Sequence, residues 1–277
     1  MADGALQGKA ALVTGGGTGI GAACAQALAA DGAAVTICGR TEEKLVAAID
    51  NMSPGHGGSV THVVADVTDE ASITAATDAA ASVTGSLDAV VANAGGGGSI
   101  EPLHVQDVAE FRRVLDLNLV GTMLTLKHSM PHLIASGTGS FVGMSSIAGS
   151  VSHLWFGAYP PAKAGIEHLM RNAADEYGPQ GVRCNAIAPG FIATEIMAGV
   201  PRDSDVYESY IVNTPLGDVG EPADVGALAR FLAGPESRWI TGQVIAIDGG
   251  HGLRRGPDFT SFVGPTAPVD VTAPHRK

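Results

Sequence analysis

Residues 139–163 read GSFVGMSSIAGSVSHLWFGAYPPAK. The apolar run at 141–144 is typical of a buried parallel strand that opens into a loop at its carboxyl end, and the second serine of that loop is Ser146. In open α/β sheets, ligands bind at this end of the strands. Tyr159 and Lys163 are four residues apart, so a helix would place both side chains on one face. The stretch therefore predicts that a hydroxyl, a phenol and an ammonium meet in one cleft.

The composition limits the class of protein. The chain has 277 residues, of which 45% are hydrophobic, and a net charge of −12. This size suits one large α/β domain. There is no stripe of Lys and Arg to follow a phosphate backbone, and no apolar run reaches the roughly 18 residues that span a bilayer. We expect neither nucleic acid nor a membrane as a partner, and, because the start of the chain lacks a secretory signal pattern, a cytoplasmic location.

Cysteines and histidines show no metal-ligand spacing. Cys24, Cys38 and Cys184 sit in apolar segments without CxxC spacing, and the nine histidines are scattered. We therefore predict buried apolar roles for the cysteines and no metal site.

A glycine-rich loop follows the first predicted strand, residues 9–14. Residues 14–21 read Thr-Gly-Gly-Gly-Thr-Gly-Ile-Gly, and a helix is predicted from there to about residue 31. Glycines in this context permit a tight bend, a close approach of a diphosphate and close packing of helix on strand. The free N–H groups at the start of the helix favour an anion, whereas an ordinary turn is the alternative. The predicted cofactor contacts are Gly15, Thr18, Gly19 and Ile20.

The end of the second predicted strand, residues 34–38, bears on the choice of cofactor. An acidic side chain there would hold the ribose 2′-hydroxyl of NAD, whereas this chain has Gly39 followed by Arg40. We therefore favour NADP(H), with NAD(H) as the alternative, and a solvated surface position for Arg40 stays open.

Two more strand ends extend the predicted cofactor site. Asp66 ends the third strand and would accept the adenine amino group, or else cap the loop that follows. The fourth strand, residues 87–92, meets Asn93-Ala94 and a run of four glycines, which lets backbone lie against a flat ring or ribose. The predicted contacts from this region are Asp66, Val67, Asn93, Ala94 and Gly95.

A long helix is predicted over about 108–136, with Asn118 where periodicity predicts core. A buried amide must find partners, so Asn118 is either a satisfied structural residue or part of a local kink whose freed carbonyl anchors a water.

The remaining elements complete the predicted architecture. A sixth strand at 182–188, a helix at 222–233 and a last strand at 244–247 give seven strands that alternate with helices. This order predicts a Rossmann-type, doubly wound α/β fold: one seven-stranded parallel sheet between two helical layers. We predict a single catalytic domain over 1–251, with a substrate lid at about 191–214. The tail at 252–277 is expected to be frayed or draped over a neighbouring subunit.

These motifs together resemble those of the short-chain dehydrogenase/reductase family, and the likeness runs from Lys9 to about Gly250. The glycine loop at 14–21 and the Pro-Gly pair at 189–190 match the family in order and spacing, as do Asp66, Asn93-Ala-Gly95, Asn118, Ser146 and Tyr159-x-x-x-Lys163. One such match by chance is believable, whereas seven in register are not.

The resemblance implies an enzyme that interconverts a secondary alcohol and a ketone by hydride transfer with NAD(P). It implies a catalytic set of Asn118, Ser146, Tyr159 and Lys163, in which Tyr159 is the general acid and base. A phenol near pKa 10 must fall by roughly two to three units to work near neutrality, and Lys163 with the oxidised nicotinamide is the expected cause. The resemblance also implies cofactor contacts from Tyr159, Lys163, Pro189, Gly190, Ile192 and Thr194.

Two features depart from the family pattern. Pro160 and Pro161 stand between the tyrosine and the lysine, which fits only the first turn of a helix that starts near Ala158. The tail of about 27 residues has no general role in the family.

The substrate prediction is an apolar, ring-containing or acyl ketone or alcohol. Its expected pocket residues are Gly97, His153, Leu154, Trp155, Phe191, Met197 and Tyr207. The alternatives are a 3-oxoacyl thioester reductase of fatty-acid metabolism and a non-catalytic cofactor-sensing protein. By resemblance alone, we expect a homotetramer.

Overall fold

Seven parallel strands form one sheet in the computed structural model, which describes residues 4–195 and 197–253. The strands are β1 Ala10–Thr14, β2 Ala34–Gly39, β3 Ser59–Val64, β4 Ala89–Ala92, β5 Ser140–Met144, β6 Arg183–Pro189 and β7 Val244–Ile247. Their order across the sheet is β3-β2-β1-β4-β5-β6-β7, and every pair is parallel. The predicted seven-stranded, doubly wound sheet is confirmed.

Helices connect the strands. They are α1 Gly19–Ala30, α2 Glu42–Asp50, α3 Glu70–Ser82, α4 Val108–Leu115, α5 Gly121–Ser136, α6 Tyr159–Tyr177, α7 Asp205–Asn213 and α8 Pro222–Ala233. A π-helical turn, Asp116–Val120, joins α4 to α5. The predicted helix over 108–136 is therefore three segments, because the chain inserts this wider turn around Asn118.

Each face of the sheet has its own apolar core. Side chains of α3, α5 and α6 pack on one face, with Leu133, Phe141 and Met170 almost completely buried. Side chains of α1 and α8 pack on the other face, with Leu28 and Leu232 buried between helix and strands. These two cores give the predicted three layers.

The first and fourth strands begin later than predicted, and Asp88 shows why. Its Oδ2 accepts from the Ala10 N–H at 3.0 Å and its Oδ1 from Lys9 Nζ at 2.9 Å. The side chain thus takes part in the contacts that open both strands, and residues 9, 87 and 88 lie before them. The sixth strand is Arg183–Pro189, one residue later than predicted, whereas α8 and β7 have the predicted bounds.

The order of the strands positions a cleft. Because β1 lies between β2 and β4, the winding of the chain reverses there, and the carboxyl ends of these strands diverge around a crevice. The segment predicted as a lid contains a short 3₁₀ helix, Met197–Gly199, and α7, which has no buried residue. Ile196 and the predicted tail from residue 254 onwards lie outside the described residues.

Candidate active site

The glycine loop forms one wall of a cleft of about 710 Å³. Gly15 has φ of +65° and Gly19 has φ of +51°, a region that favours glycine. A side chain at Gly21 would collide with the Gly15 carbonyl. Among the described residues, no side chain caps the start of α1, so its first N–H groups remain available to an anion. The loop residues that line the cleft are Gly15, Thr18, Gly19 and Ile20.

Asn93 fixes this loop to the end of β4. Its Nδ2 donates to Thr14 O at 3.1 Å and to Gly15 O at 3.2 Å. The Thr14 hydroxyl accepts from the Asn93 and Ala94 N–H groups, each at 3.0 Å. Asn93, Ala94 and Gly95 all line the cleft. The glycine conformations, the tight approach at Gly21 and the uncapped helix together fit the diphosphate and ribose of a dinucleotide.

Arg40, Asp66 and Val67 do not line the cleft wall. Arg40 follows β2 and is exposed, whereas Val67 is buried, and a Cβ on Gly121 would come within 2.8 Å of it. Partial burial alone would raise the pKa of Asp66, but hydrogen bonds from Thr68 and the charge of Arg40 outweigh it and lower that pKa. The Thr68 N–H and hydroxyl both donate to Asp66 Oδ1, at 2.9 and 2.8 Å, so Asp66 does cap the loop that follows it.

Lys163 lies at the base of the cleft behind Tyr159. The ammonium donates to Met144 O at 2.8 Å and lies 5.4 Å from the centroid of the Tyr159 ring. The residue is only 4% exposed, and burial lowers the pKa of its ammonium to about 8. An ammonium has three N–H groups, and one of them binds Met144 O, so two remain that can bind a ligand.

Tyr159 and Ser146 both line the cleft, and the Ser146 hydroxyl acts on the pKa of the Tyr159 phenol. Burial raises the pKa of the Tyr159 phenol, the hydrogen bond from Ser146 opposes that rise, and Tyr210 adds to it, so the pKa lies above its usual range. The sequence led us to expect a lowered pKa. The structure corrects this for the protein by itself, because desolvation disfavours a phenolate more than the Ser146 hydroxyl stabilises it.

Asn118 lies in the π-helical turn and is fully buried. Its Nδ2 donates to Gly96 O and to Val114 O, both at 2.9 Å, and its Oδ1 accepts from the Gly96 N–H at 3.2 Å. The Asn118 carbonyl accepts from the Thr122 hydroxyl at 2.7 Å. The side chain is therefore satisfied as a structural residue, within a turn that also departs from regular helix.

Paired prolines start α6 where the sequence predicts. The helix begins at Tyr159 with Ala158 as its N-cap, so Pro160 and Pro161 occupy the first turn, where N–H groups have no helical partner. The first helical bond after them runs from the Ala162 N–H to Ala158 O at 3.0 Å.

The strand β6 brings the Pro-Gly segment to the same cleft. The Gly190 N–H donates to Ile247 O at 3.0 Å, and the Ala193 N–H donates to Gly220 O at 2.8 Å. A Cβ on Gly19 would lie 3.3 Å from the Thr194 side chain, so this segment faces the glycine loop. Its predicted members all line the cleft: Pro189, Gly190, Ile192 and Thr194.

The substrate end of the cleft is aromatic. Phe191 stacks on Tyr210 with ring centroids 4.4 Å apart, and Tyr207 packs edge-on against Phe191 at 5.5 Å. Phe156 packs edge-on against Tyr159 at 6.3 Å. Tyr210 belongs to α7, so stacking on Phe191 attaches this helix to the mouth of the cleft.

Four of the seven predicted pocket residues line the cleft: Gly97, His153, Phe191 and Met197. The other three do not. Leu154 and Trp155 are 76% and 53% exposed on the outside of the loop, and Tyr207 lies behind Phe191. Trp155 has φ of +72°, a left-handed backbone conformation that no sequence pattern predicted.

Several lining residues were missed by sequence reasoning. Those with side chains of chemical interest are Lys44, Ile100, Phe156, Glu195, Val206 and Tyr210. Most stand in loops or on the weakly patterned α7, where no periodicity indicates direction. Only for Lys44 did the sequence offer a hint of its place in the cleft, because this cation follows Arg40 by four residues.

Glu167 is a second residue that the sequence did not indicate. It lies one turn after Lys163 on α6 and is 6% exposed. The Ser145 hydroxyl lies 3.0 Å from Glu167 Oε1 and 3.1 Å from Lys163 O. Ser145 precedes Ser146, so this contact helps to fix the loop that carries the Ser146 hydroxyl.

Comparisons with known proteins agree with this geometry. A family model described as enoyl-(acyl carrier protein) reductase matches residues 15–252. A cis-4-hydroxycyclohexanecarboxylate dehydrogenase from Sinomonas cyclohexanicum is 41% identical over 243 residues, which cover 88% of this chain and 96% of that protein. A galactitol 2-dehydrogenase (L-tagatose-forming) from Cereibacter sphaeroides is 33% identical over 249 residues, covering 89% and 96%.

A solved structure shares the whole architecture. The structure of a short-chain type dehydrogenase/reductase from Mycobacterium ulcerans has a TM-score of 0.88 and 43% sequence identity. The match covers 94% of this chain and 96% of that one.

Proposed function

The chain belongs to the short-chain dehydrogenase/reductase family and is an oxidoreductase that interconverts a secondary alcohol and a ketone with a nicotinamide cofactor; we propose that Tyr159 is its general acid and base. The observation that carries this proposal is that the Ser146 hydroxyl, the Tyr159 phenol and the buried Lys163 ammonium meet in one cleft, at the carboxyl end of β5. A donor and a titratable group converge there on one position where a substrate oxygen can bind.

Each residue has a role that follows from its contacts. In reduction, Tyr159 donates its proton to the carbonyl oxygen, while the Ser146 hydroxyl stabilises the charge that develops on that oxygen. In oxidation, the substrate hydroxyl loses its proton to Tyr159. The two remaining N–H groups of Lys163 would hold the nicotinamide ribose. Asn118 keeps the loop at Gly96 beside Lys163, and its carbonyl has a second lone pair for a water.

The bound nicotinamide supplies the hydride donor or acceptor and, when oxidised, a positive charge near Tyr159. Burial keeps the Tyr159 proton in place in the protein by itself, because it raises the pKa of the phenol. We infer that Tyr159 becomes a competent base for alcohol oxidation only beside that charge.

The Tyr159→Phe variant tests this role. We expect turnover to fall by at least about a hundredfold, since general acid/base groups contribute on the order of 10² to 10⁴. The dissociation constant for the cofactor should stay nearly unchanged, because the ring is retained. Tyr177→Phe, at the far end of α6, is the matched control and should keep full activity. Retained turnover in Tyr159→Phe would exclude the acid/base role.

We further propose a preference for NADP(H). Arg40 directly follows β2 and is exposed, Lys44 lines the cleft, and neither Gly39 nor Arg40 offers a carboxylate to a ribose 2′-hydroxyl.

Fluorescence titration with both cofactors tests this preference. We expect NADPH to bind at least about tenfold more tightly than NADH, since a charge-assisted hydrogen bond contributes roughly 1.5 to 3 kcal/mol. Arg40→Ser should remove most of that difference, and Arg112→Ser, an exposed arginine on α4, should not. A tenfold tighter binding of NADH would show that our interpretation of Arg40 is wrong.

For the substrate, we propose apolar ring-containing secondary alcohols and ketones. The substrate end is formed mainly by apolar and aromatic side chains, among them Ile100, Phe156, Phe191 and Val206. The Sinomonas relative acts on a hydroxylated cyclohexane ring by its name. Assaying cyclic ketones beside a 3-oxoacyl thioester would separate this proposal from the acyl-reductase alternative.

We also propose one catalytic domain over 1–251 with a lid at 191–214, a cytoplasmic location and a homotetramer. None of the helices in the described ranges is long and apolar enough to cross a membrane. The support for assembly is an apolar groove across α5 and α6, taken up in the Discussion.

A further inference from the structure

His153 is held rigidly at the substrate end of the cleft. It lies in the loop between β5 and α6, lines the cleft and is partly buried. Its ring stacks on Phe156 with centroids 5.3 Å apart and faces Tyr210 at 6.5 Å. Phe156 also packs against Tyr159, so the imidazole lies one aromatic ring beyond the general acid and base.

The backbone determines which nitrogen of His153 carries the hydrogen. Nδ1 lies 2.8 Å from Val151 O. A carbonyl oxygen can only accept, so Nδ1 carries a hydrogen and donates it. In the neutral ring, Nε2 is then a lone-pair acceptor.

Nε2 is open to the cleft. Among the described residues, none forms a hydrogen bond with this atom, and no buried side-chain nitrogen or oxygen is left without a partner. Nε2 must therefore be accessible. The site offers a fixed, outward-facing acceptor in surroundings that are otherwise mostly apolar, which is the arrangement that gives a pocket its specificity.

The charges of the cleft determine what this acceptor can bind. Within the described lining, the charged residues are Lys44, Lys163 and Glu195. Lys44 adjoins the glycine loop, and Lys163 lies buried behind Tyr159. Within the described lining, a substrate carboxylate near His153 would therefore have neither lysine beside it, and it would enter a chain of net charge −12. A neutral hydroxyl suits the lone pair and carries no such cost.

We propose that His153 Nε2 accepts a hydrogen bond from a second hydroxyl of the substrate. The preferred substrates are then neutral ring ketones or alcohols with a hydroxyl on the side of the ring opposite the reacting carbon. The inference rests on the proposed function, because it takes the reacting oxygen to lie at Ser146 and Tyr159. His153 contributes specificity in this scheme and takes no part in proton transfer.

The experiment compares kcat/KM for three ketones: 4-hydroxycyclohexanone, 4-methylcyclohexanone and 4-oxocyclohexanecarboxylate. We expect the hydroxy ketone to exceed the methyl ketone by about tenfold, the worth of roughly one well-formed hydrogen bond, and the carboxylate to be the poorer substrate. The ratio of two substrates in one enzyme preparation does not depend on the fraction of protein that is folded.

Variants test whether His153 causes the difference in kcat/KM between the hydroxy and methyl ketones. His153→Phe keeps an aromatic ring but lacks the acceptor, so the hydroxy-to-methyl ratio should fall to about one. His153→Gln offers an amide oxygen and should restore part of the ratio. His104→Phe, an exposed histidine in a neighbouring loop, should leave the ratio unchanged.

The outcomes separate the two proposals. Equal kcat/KM for the hydroxy and methyl ketones, an undiminished ratio in His153→Phe, or a preference for the carboxylate would overturn the role of His153 and leave the oxidoreductase intact. Failure to reduce any ketone with either cofactor would overturn the proposed function, and this inference with it.

Discussion

Lys163 is a charge that the fold keeps almost out of reach of water. It is 4% exposed, and within the described part of the chain its ammonium has one hydrogen bond, to Met144 O. Burial disfavours the charged form and lowers the pKa to about 8 from a usual value of 10.5. The protein therefore gives up stability to hold a cation at this position, which is common where a charge serves catalysis.

This lowered pKa predicts how stability depends on pH. Below pH 8 the lysine is protonated in the folded and unfolded chains. Burying its charge then lowers the free energy of unfolding by about 3 kcal/mol. Between pH 8 and 10.5 the unfolded chain binds more protons, so the contribution of Lys163 to stability becomes less unfavourable as pH rises. Denaturant unfolding of the wild type and of Lys163→Met should show a difference that changes in this direction across that window.

Comparing the wild type with Lys163→Met cancels the effects of the other titratable groups on stability. Burial raises the pKa values of Tyr159, Cys24, Cys38 and Cys184, which opposes stability at high pH, but these groups are present in both proteins. Lys127→Met, at an exposed lysine paired with Glu70, should show no such trend. A pH-independent difference for Lys163→Met would mean that the ammonium is not destabilised by burial.

The sequence predicted which residues meet but not their protonation energetics. Four-residue spacing on a helix is a local property, so Tyr159 and Lys163 could be placed together without a structure. The raised pKa of Tyr159 depends on its burial, to which the edge-on contact with Phe156 contributes, and on the electrostatic effect of Tyr210. Those residues come from a loop and from α7, whose positions follow from long-range packing.

At the scale of elements, the π-helical turn between α4 and α5 connects the helical layer to the cleft. Asn118 bonds both backbone groups of Gly96 and also the carbonyl of Val114. A Cβ on Gly95 would come within 2.5 Å of Asn118 Oδ1 and 3.3 Å of Lys163 Nζ. The turn thus fixes a glycine loop directly beside the buried ammonium.

We expect Asn118→Ala to destabilise the protein by about 2 kcal/mol, because it leaves the buried Val114 carbonyl and the partly buried backbone groups of Gly96 without their side-chain partner. It should also weaken cofactor binding, since the loop at Gly96 would lose its attachment. The measurements are denaturant unfolding and cofactor titration.

Asn213→Ala provides the matched control. Asn213 on α7 donates to the carbonyl four residues earlier, as Asn118 does to Val114 O, but it is exposed. Water can replace that bond, so we expect a loss of less than about 0.5 kcal/mol. Equal losses in the two variants would contradict a special role for the Asn118–Gly96 contacts.

The same turn marks a limit of sequence reasoning about elements. Helix α8 and strand β7 have the predicted bounds because proline, glycine and apolar periodicity are local signals. The interruption of the helix at Asp116–Val120 coincides with partners 22 residues away in sequence, at Gly96. A contact of that separation cannot be read from periodicity.

For the whole molecule, alternation of strands and helices was enough to predict the sheet and its two helical layers. The proposed catalytic residues lie outside the two apolar cores, in α6, in the π-helical turn and in the loop after β5, at the carboxyl end of the sheet. Most cleft residues that the sequence missed belong to the connections that follow β4, β5 and β6. The fold determines where each connection begins and ends but not the path of the chain between those points.

An apolar groove lies on the outer side of the helical layer formed by α5 and α6. A groove of about 340 Å³ runs between α5 and α6, lined by Leu119, Val120, Met123, Gly165, His168, Leu169 and Asn172. Val120 and Met123 are each 37% exposed. A Cβ on Gly165 would lie 2.8 Å from Leu119, so α6 packs closely against the π-helical turn that precedes α5. Such a face fits contact with a second copy of the chain, as the proposed homotetramer requires.

Met123→Lys tests the assembly, because a charge at the centre of a two-fold face meets its own copy and must be desolvated there. We expect light scattering coupled to size-exclusion chromatography to give about the mass of four chains for the wild type and a smaller assembly for the variant. Val46→Lys introduces the same charge at a comparably exposed position on α2 and should leave the mass unchanged. Because the face is built from the helices that carry Asn118 and Lys163, we also expect Met123→Lys to lower the melting temperature. A wild type that is monomeric, or a Met123→Lys variant of unchanged mass, would contradict this assembly.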